Sequence, residues 1–322
     1  MSAATNPEVR IEINHGSPEP DALRALRELA TTAEEADGNP PLSEQTLVEL
    51  RSTADPDVLI GAYAYLVQGP ATNSGELVGV AIAVLGDPGT LEMVVDPAFR
   101  DSGIAGALLE ALGQHTELGR LRAWAHGNHE AAARLAETNG FAPVRELWRM
   151  RMITGTPVPA AIVPEGISIR AFNPDSDGPG WIAANAAAFA HHPEQGSMTL
   201  DDLEARMAED WFDPAGFLLA VNAQEQIVGF HWTKVHPALS SPVTGEHQRI
   251  GEIYVVGVIP EAQGTGLGKV LTLAGITHLN SLGLPALMLY VDADNVAAVS
   301  LYRKLGFTKW DVDVMYAPVS VR

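Results

Sequence analysis

One order of signals is written twice in this chain. Near residue 97, and again near residue 260, an apolar run ends in a proline (Met93-Val94-Val95-Asp96-Pro97 and Val255-Val256-Gly257-Val258-Ile259-Pro260). A glycine-bearing turn follows each, RDSGIA at 100–105 and QGTGLG at 263–268. An apolar-periodic helix comes next (105–112, 267–279), then a short strand (121–125, 286–291), then a helix closing on Gly140-Phe141 or Gly306-Phe307. The two prolines stand 163 residues apart and the two closing glycines 166. Helix C-cap preference accounts for each glycine singly, but not for a shared order at a nearly constant offset. The chain therefore reads as a tandem duplication.

Each copy reads α-α-β-β-β-α-β-α-β, a mixed α/β domain. Helices are expected at 21–37 and 42–51, then at 181–190 and 201–210. The strands that follow are expected at 58–67 and 77–84, then at 216–221 and 226–235. Thr154-Gly155-Thr156-Pro157-Val158-Pro159 interrupts any helix or central strand and divides the chain into domains 1–153 and 160–322.

Composition removes several classes of function. The 322 residues contain no cysteine, so there is no disulfide, thiolate metal ligand or thiol nucleophile. A formal net charge of −20 argues against a nucleic-acid partner, and an acidic surface tolerates a cationic amine substrate. No apolar run reaches the roughly 18 residues that a membrane span needs, and the N-terminus lacks a signal-peptide pattern. The expected location is the cytoplasm. His191 and His192 read as loop residues without a matching ligand set, so no metal is expected. All four lysines (Lys234, Lys269, Lys304, Lys309) lie in the second copy.

The glycine-rich turn of the second copy fails both common nucleotide patterns. Gly268-Lys269 is followed by Val270 rather than Ser or Thr, and Gly264, Gly266 and Gly268 are misplaced for a dinucleotide fingerprint. What remains is a strand running into a helix whose first turn is glycine-rich. Backbone N–H groups there can converge on one anion, aided by the helix dipole. Such a turn suits a pyrophosphate.

Gln263-Gly264-Thr265-Gly266-Leu267-Gly268 after Val256-Gly257-Val258, with Asp294-Asn295 through Tyr302 to Gly306-Phe307 downstream, resembles the GCN5-related N-acetyltransferases (GNAT). The resemblance implies two tandem domains of that fold, each a mixed, mostly antiparallel sheet flanked by helices. It also implies acetyl-CoA as co-substrate. The pyrophosphate would lie on the glycine-rich turn, the pantetheine arm along the preceding strand edge, and a tyrosine near the thioester sulfur.

Direct transfer to an amine needs a proton acceptor and an acid for the leaving thiolate. Tyr302, four residues before Gly306, is the candidate acid, and Glu252 the candidate base. Ala136 stands at the equivalent place before Gly140 and has no proton to give, so the first domain reads as non-catalytic. Tyr302 can also be read as packing on Leu305 and Phe307, and Glu252 as a solvated strand-edge carboxylate.

Longer stretches sharpen the likeness: HPEQG at 192–196, GFHWTKVHP at 229–237, Leu289-Tyr290-Val291 and Trp124-Ala125-His126-Gly127. They resemble tandem actinobacterial members of the family that acetylate the α-amine of a cysteinyl-glucosaminyl-inositol. Carried over by motif, Glu44, Glu194, Lys234, Glu252 and Tyr290 would contact that acceptor. Val256, Gly257, Val258, Gln263, Gly264, Thr265, Gly266, Leu267, Gly268, Lys269, Asn295, Val296, Ala297, Ala298, Val299 and Ser300 would hold acetyl-CoA. In the first domain Met93, Val94, Val95, Asp101, Ser102, Gly103, Ile104, Ala105 and Gly106 would hold a second acetyl-CoA, although Asp101 replaces the expected basic residue. The expected assembly is a monomer. The alternatives are an acetyltransferase for another small amine or a protein N-terminus, and an acyl-CoA-binding regulator without turnover.

Overall fold

The computed structural model describes residues 7–319 except 53–54, 56, 68–74, 128, 156–157, 192–194 and 241–246. The first copy begins with β1 (Val9–His15), α1 (Pro20–Asp37) and α2 (Glu44–Ser52). It continues with β2 (Leu59–Leu66), β3 (Leu77–Val84), β4 (Gly89–Val95), α3 (Ile104–Gly113), β5 (Leu121–Ala125), α4 (Glu130–Thr138) and β6 (Phe141–Ile153). The second repeats the order with β7 (Ile167–Ala171), α5 (Gly178–Ala188), α6 (Leu200–Met207), β8 (Phe217–Asn222) and β9 (Ile227–Ser240). It closes with β10 (His247–Val258), α7 (Leu267–Ser281), β11 (Ala286–Asp292), α8 (Val296–Lys304) and β12 (Thr308–Pro318). The duplicated order holds, with one edge strand added at the front of each copy.

The copies do not form separate sheets. All twelve strands make one sheet in the order β1-β2-β3-β4-β5-β12-β6-β11-β10-β9-β8-β7. Each copy's last strand lies against the other copy's penultimate one: β12 pairs with β5 (Met315 opposite Trp124), and β6 pairs with β11 (Arg149 opposite Tyr290). The two exchanged strands pair with each other at the centre. The sheet is thus continuous across the two copies, with β6 of the first pairing with β11 and β12 of the second.

Strand alternation sorts side chains to two helical layers. In the first copy Tyr63, Val80 and Ile82 pack under Leu26, Leu29 and Ala33 of α1, while Ala62, Ala81 and Ala83 face Ile104 and Leu108 of α3. In the second, Phe217, Phe230 and Trp232 pack around Trp181 of α5, and Trp232 stacks on Phe217 with centroids 4.4 Å apart. On the other face Met150 and Leu289 pack with Ile276 of α7 and Tyr302 of α8. Two pairings are parallel, β4–β5 and β10–β11, and each is only three residue pairs long. Beyond Ile253 and Leu289 the second pair separates, and the edge of Val256–Val258 on that side has no strand partner among the described residues.

Candidate active site

A cluster of charged side chains lies on the sheet face that α1 and α2 of the first copy overhang. On β10, Glu252 stands opposite Lys234 of β9, and a register shift between Ile253 and Val255 leaves Tyr254 as the extra residue. Glu252 is 5% exposed and takes a hydrogen bond from the Nε2 of His236 at 2.5 Å. Glu44 arrives from the first copy as the opening residue of α2. It accepts hydrogen bonds from the Lys234 ammonium (3.0 Å) and the Tyr254 hydroxyl (2.8 Å). Burial works to raise the Glu44 carboxyl, but Lys234 and the Tyr254 hydrogen bond outweigh it and hold it below its ordinary value. Lys234 lies 4.4 Å from the centre of the Trp211 ring, so its charge has both an anion and a π face. Arg206 of α6 completes the junction by donating to Tyr254 (3.1 Å) and to Gln45 (3.1 Å).

Tyr290 of β11 faces the same cleft, with Arg149 of β6 at 5.7 Å from its ring centre. Burial pushes the Tyr290 hydroxyl well above the ordinary phenol range. Glu34 of α1 faces His236 and Arg149, and its carboxyl is raised by burial despite them. The structure therefore brings together Glu44, Lys234, Glu252 and Tyr290, while Glu194 lies outside the described residues. Glu34, Arg149, His236 and Tyr254 were not singled out from sequence. His236 and Tyr254 were findable, because they stand two residues beyond Lys234 and Glu252 on the same strands.

The glycine-rich turn and the start of α8 sit where the strands part. Gly264 and Gly266 have φ of +78° and +84°, and a Cβ on either would meet nothing within 4 Å. Glycine serves there for backbone conformation and leaves the approach open. Gln263 donates to the Val258 carbonyl (3.1 Å) and Thr265 to that of Ala262 (2.8 Å), bracing the turn ahead of α7, whose first residues are Leu267, Gly268 and Lys269. Gly257 has another reason to be glycine: a Cβ there would lie 2.4 Å from the Phe230 ring. On the far side Asn295 caps α8 by accepting from the Ala298 amide (3.1 Å). Val296, Val299 and Ser300 line a hollow of about 440 Å³ with Trp148 and Arg303, whereas Ala297 and Ala298 do not. Tyr302 is 9% exposed, packs edge-on to Phe307 at 5.9 Å, and its hydroxyl is pushed up to about 12 by burial. It packs as one of the sequence readings expects, and its hydroxyl stays protonated at neutral pH.

The first copy has its own cavity, about 540 Å³, between β4, β5 and α3. Met93, Val94, Val95, Asp101, Gly103, Ile104, Ala105 and Gly106 line it, and Ser102 instead turns its hydroxyl to the Phe99 carbonyl. Arg100 is engaged by Asp37 through two hydrogen bonds of 2.7 Å. At the inner end His126 lies between Asp313 of β12 (3.1 Å) and Glu92 of β4 (3.4 Å). Burial opposes its charge, but the hydrogen bonds to Asp313 and Glu92 prevail and move it to about 10, while both carboxyls fall below their ordinary values. This buried cluster was not anticipated, since Asp313 reaches it only through the strand exchange.

A strand pair that parts beside a glycine-turned helix, written twice, with a buried carboxylate and a protonated tyrosine in the second copy, defines an acyltransferase of the acetyl-CoA type. The model of the acetyltransferase (GNAT) family matches residues 185–307, and that of the acetyltransferase (GNAT) domain matches 63–143. A mycothiol acetyltransferase of Paenarthrobacter aurescens is 56% identical over 312 residues, 95% of either chain. Those of Thermobispora bispora (51%, covering 96% of this chain and 99% of that one) and Streptomyces coelicolor (46%, 92% of each) are similar as well. Among solved structures, a GCN5-related N-acetyltransferase from Sphaerobacter thermophilus superposes with a TM-score of 0.66 at 23% identity, covering 94% of each chain. A tandem GNAT protein from the clavulanic acid pathway gives 0.66 at 18%, covering 95% and 98%. The chain belongs to the GNAT acetyltransferases and, within them, to the mycothiol acetyltransferase family. It is an N-acetyltransferase, and enzymes of this family draw the acetyl group from acetyl-CoA.

Proposed function

We propose that this chain catalyses the last step of mycothiol biosynthesis. It transfers the acetyl group of acetyl-CoA to the cysteinyl α-amine of 1D-myo-inositol 2-(L-cysteinylamino)-2-deoxy-α-D-glucopyranoside, giving mycothiol and CoA. The observation that carries this reading is the carboxylate-lined cleft in which Glu44 of the first copy reaches Lys234 and Tyr254 beside Glu252. A protonated amine on a polyhydroxylated body needs such a surface.

In this reading domain 160–322 carries the chemistry, and domain 1–153 supplies a wall of the acceptor site. Acetyl-CoA supplies an activated thioester. Its pyrophosphate fits the open turn at Gly264–Gly268, and its pantetheine arm fits the unpartnered edge of Val256–Val258. Glu252 accepts the proton that the acceptor ammonium must lose before its nitrogen attacks the carbonyl. Tyr302 returns a proton to the departing sulfur. The first-copy cavity would take a second acetyl-CoA, with Asp101 opposing its pyrophosphate and Arg100 already committed to Asp37.

The test follows CoA release by chromatography, because the acceptor carries its own thiol. Turnover is expected with the cysteinylated acceptor and not with the uncysteinylated glucosaminyl-inositol. Turnover with neither would overturn the assignment.

A further inference from the structure

We propose that Trp310, Asp311 and the arginines beneath them form a shelf on the rim of the acceptor cleft that binds the polyhydroxylated ring portion of the acceptor. The proposal rests on the reading of the acceptor as an aminosugar conjugate and adds a subsite to it.

The shelf comes from a register shift. In the pairing of β12 with β6, Lys309 stands opposite Met150 and the next paired residue, Asp311, opposite Arg149. Trp310 is therefore an extra residue. Lys309 serves the Met150 face, where it lies 4.4 Å from the centre of the Trp148 ring. Trp310 and Asp311, although consecutive, both serve the Arg149 face, and regular alternation would have sent one of them through the sheet. Arg149 lies 4.6 Å from the Trp310 ring centre, Arg151 5.1 Å, and Asp311 3.6 Å from Arg149. Trp310 stays 44% exposed, while the Arg149 side chain beneath it is only 5% exposed. The Nε atoms of both arginines are buried and have no hydrogen-bond partner among the described residues.

An exposed indole, braced from beneath by two guanidinium groups and set beside a part-exposed carboxylate, suits a sugar or cyclitol ring. The ring's C–H face can lie on the indole, and its hydroxyls can donate to the Asp311 carboxylate. Two arginines against the single carboxylate of Asp311 leave the shelf net positive, which disfavours a cation, whereas Glu252 and Glu34 attract one. Charge thus sorts the acceptor end for end, with its ammonium toward Glu252 and its ring on Trp310. Arg149 joins the two regions by also facing Tyr290 at 5.7 Å.

The experiment measures steady-state kinetics of the whole chain with the cysteinylated acceptor, using the uncysteinylated glucosaminyl-inositol as a ring-bearing inhibitor. Trp310→Leu is expected to raise both the KM for the acceptor and the Ki of the inhibitor by about tenfold, with KM for acetyl-CoA unchanged. Asp311→Asn should move the same two constants by a few-fold. Unchanged Ki values in both variants, or no inhibition of the unaltered chain while it turns over the acceptor, would overturn the shelf and leave the acceptor reading standing. No turnover of the acceptor by the unaltered chain would overturn the reading and the shelf together.

Discussion

In the proposed reaction Glu252 and Tyr302 divide the proton work, and their surroundings differ accordingly. Glu252 is buried but hydrogen-bonded to His236, a partner that reaches solvent, so a proton taken from the substrate has a polar neighbour. Tyr302 lies in apolar packing that holds its hydroxyl near 12, which keeps it a neutral donor at physiological pH. Removing that hydroxyl while keeping the ring should cost chemistry and spare packing. Tyr302→Phe is expected to lower kcat by about a hundredfold or more, with KM for acetyl-CoA within about twofold, in steady-state assays. Equal loss in both constants would assign Tyr302 to binding. At this scale the places of Tyr302 on α8 and Glu252 on β10 were legible because the residues around them carry a pattern. Glu34 was not, since a carboxylate in the last turn of an amphipathic helix looks like any solvated one until another domain covers it.

At the scale of elements, the glycines of β10 and the following turn do different things. Those at 264 and 266 hold a left-handed backbone with open space around them, whereas Gly257 makes room for the Phe230 ring. Gly257→Ala should therefore act on stability, costing about 1–3 kcal/mol through overpacking, as read by chemical denaturation. The short helices, the core strands and both glycine turns could be read from period and punctuation. The edge strands β1 and β7 were passed over, although Val9, Ile11 and Ile13 alternate. Each is a weak signal by itself and gains its stability from pairing with β2 or β8. The exchange of β6 and β12 was illegible for a firmer reason: alternation fixes which face a residue takes, not which strand lies beside it.

Across the whole molecule, that exchange places Asp313 from the end of the chain against His126 and Glu92 of the first copy. The same cluster grips the connection between α1 and α2. Asn39 donates to Asp313 (3.2 Å), and the Ser43 amide donates to Glu92 (2.8 Å), one residue before Glu44. His126 moves from an ordinary 6.5 to about 10, so its stabilisation is complete below 6.5 and is lost as pH rises through 10. The carboxyls lie below their ordinary 4.5 and 3.8, so their share is present above those values and is lost as pH falls. The contribution should peak between 4.5 and 6.5. Thermal melts of the unaltered chain should decline between pH 6.5 and 10 more steeply than those of His126→Gln, and parallel curves would remove the cluster from the pH response. Truncation by His126→Ala, which strands two buried carboxylates, should cost about 3–5 kcal/mol.

The central claim is that one active site is built from both copies, with Glu44 crossing from the first to the chemistry of the second. Steady-state kinetics of Glu44→Gln with the cysteinylated acceptor test it most directly. The account predicts that KM for the acceptor rises about 30-fold or more, as expected when one partner of a hydrogen-bonded charge pair is neutralised, while KM for acetyl-CoA stays unchanged. An unchanged acceptor KM would mean that Glu44 takes no part in the chemistry of the second copy and would contradict the account.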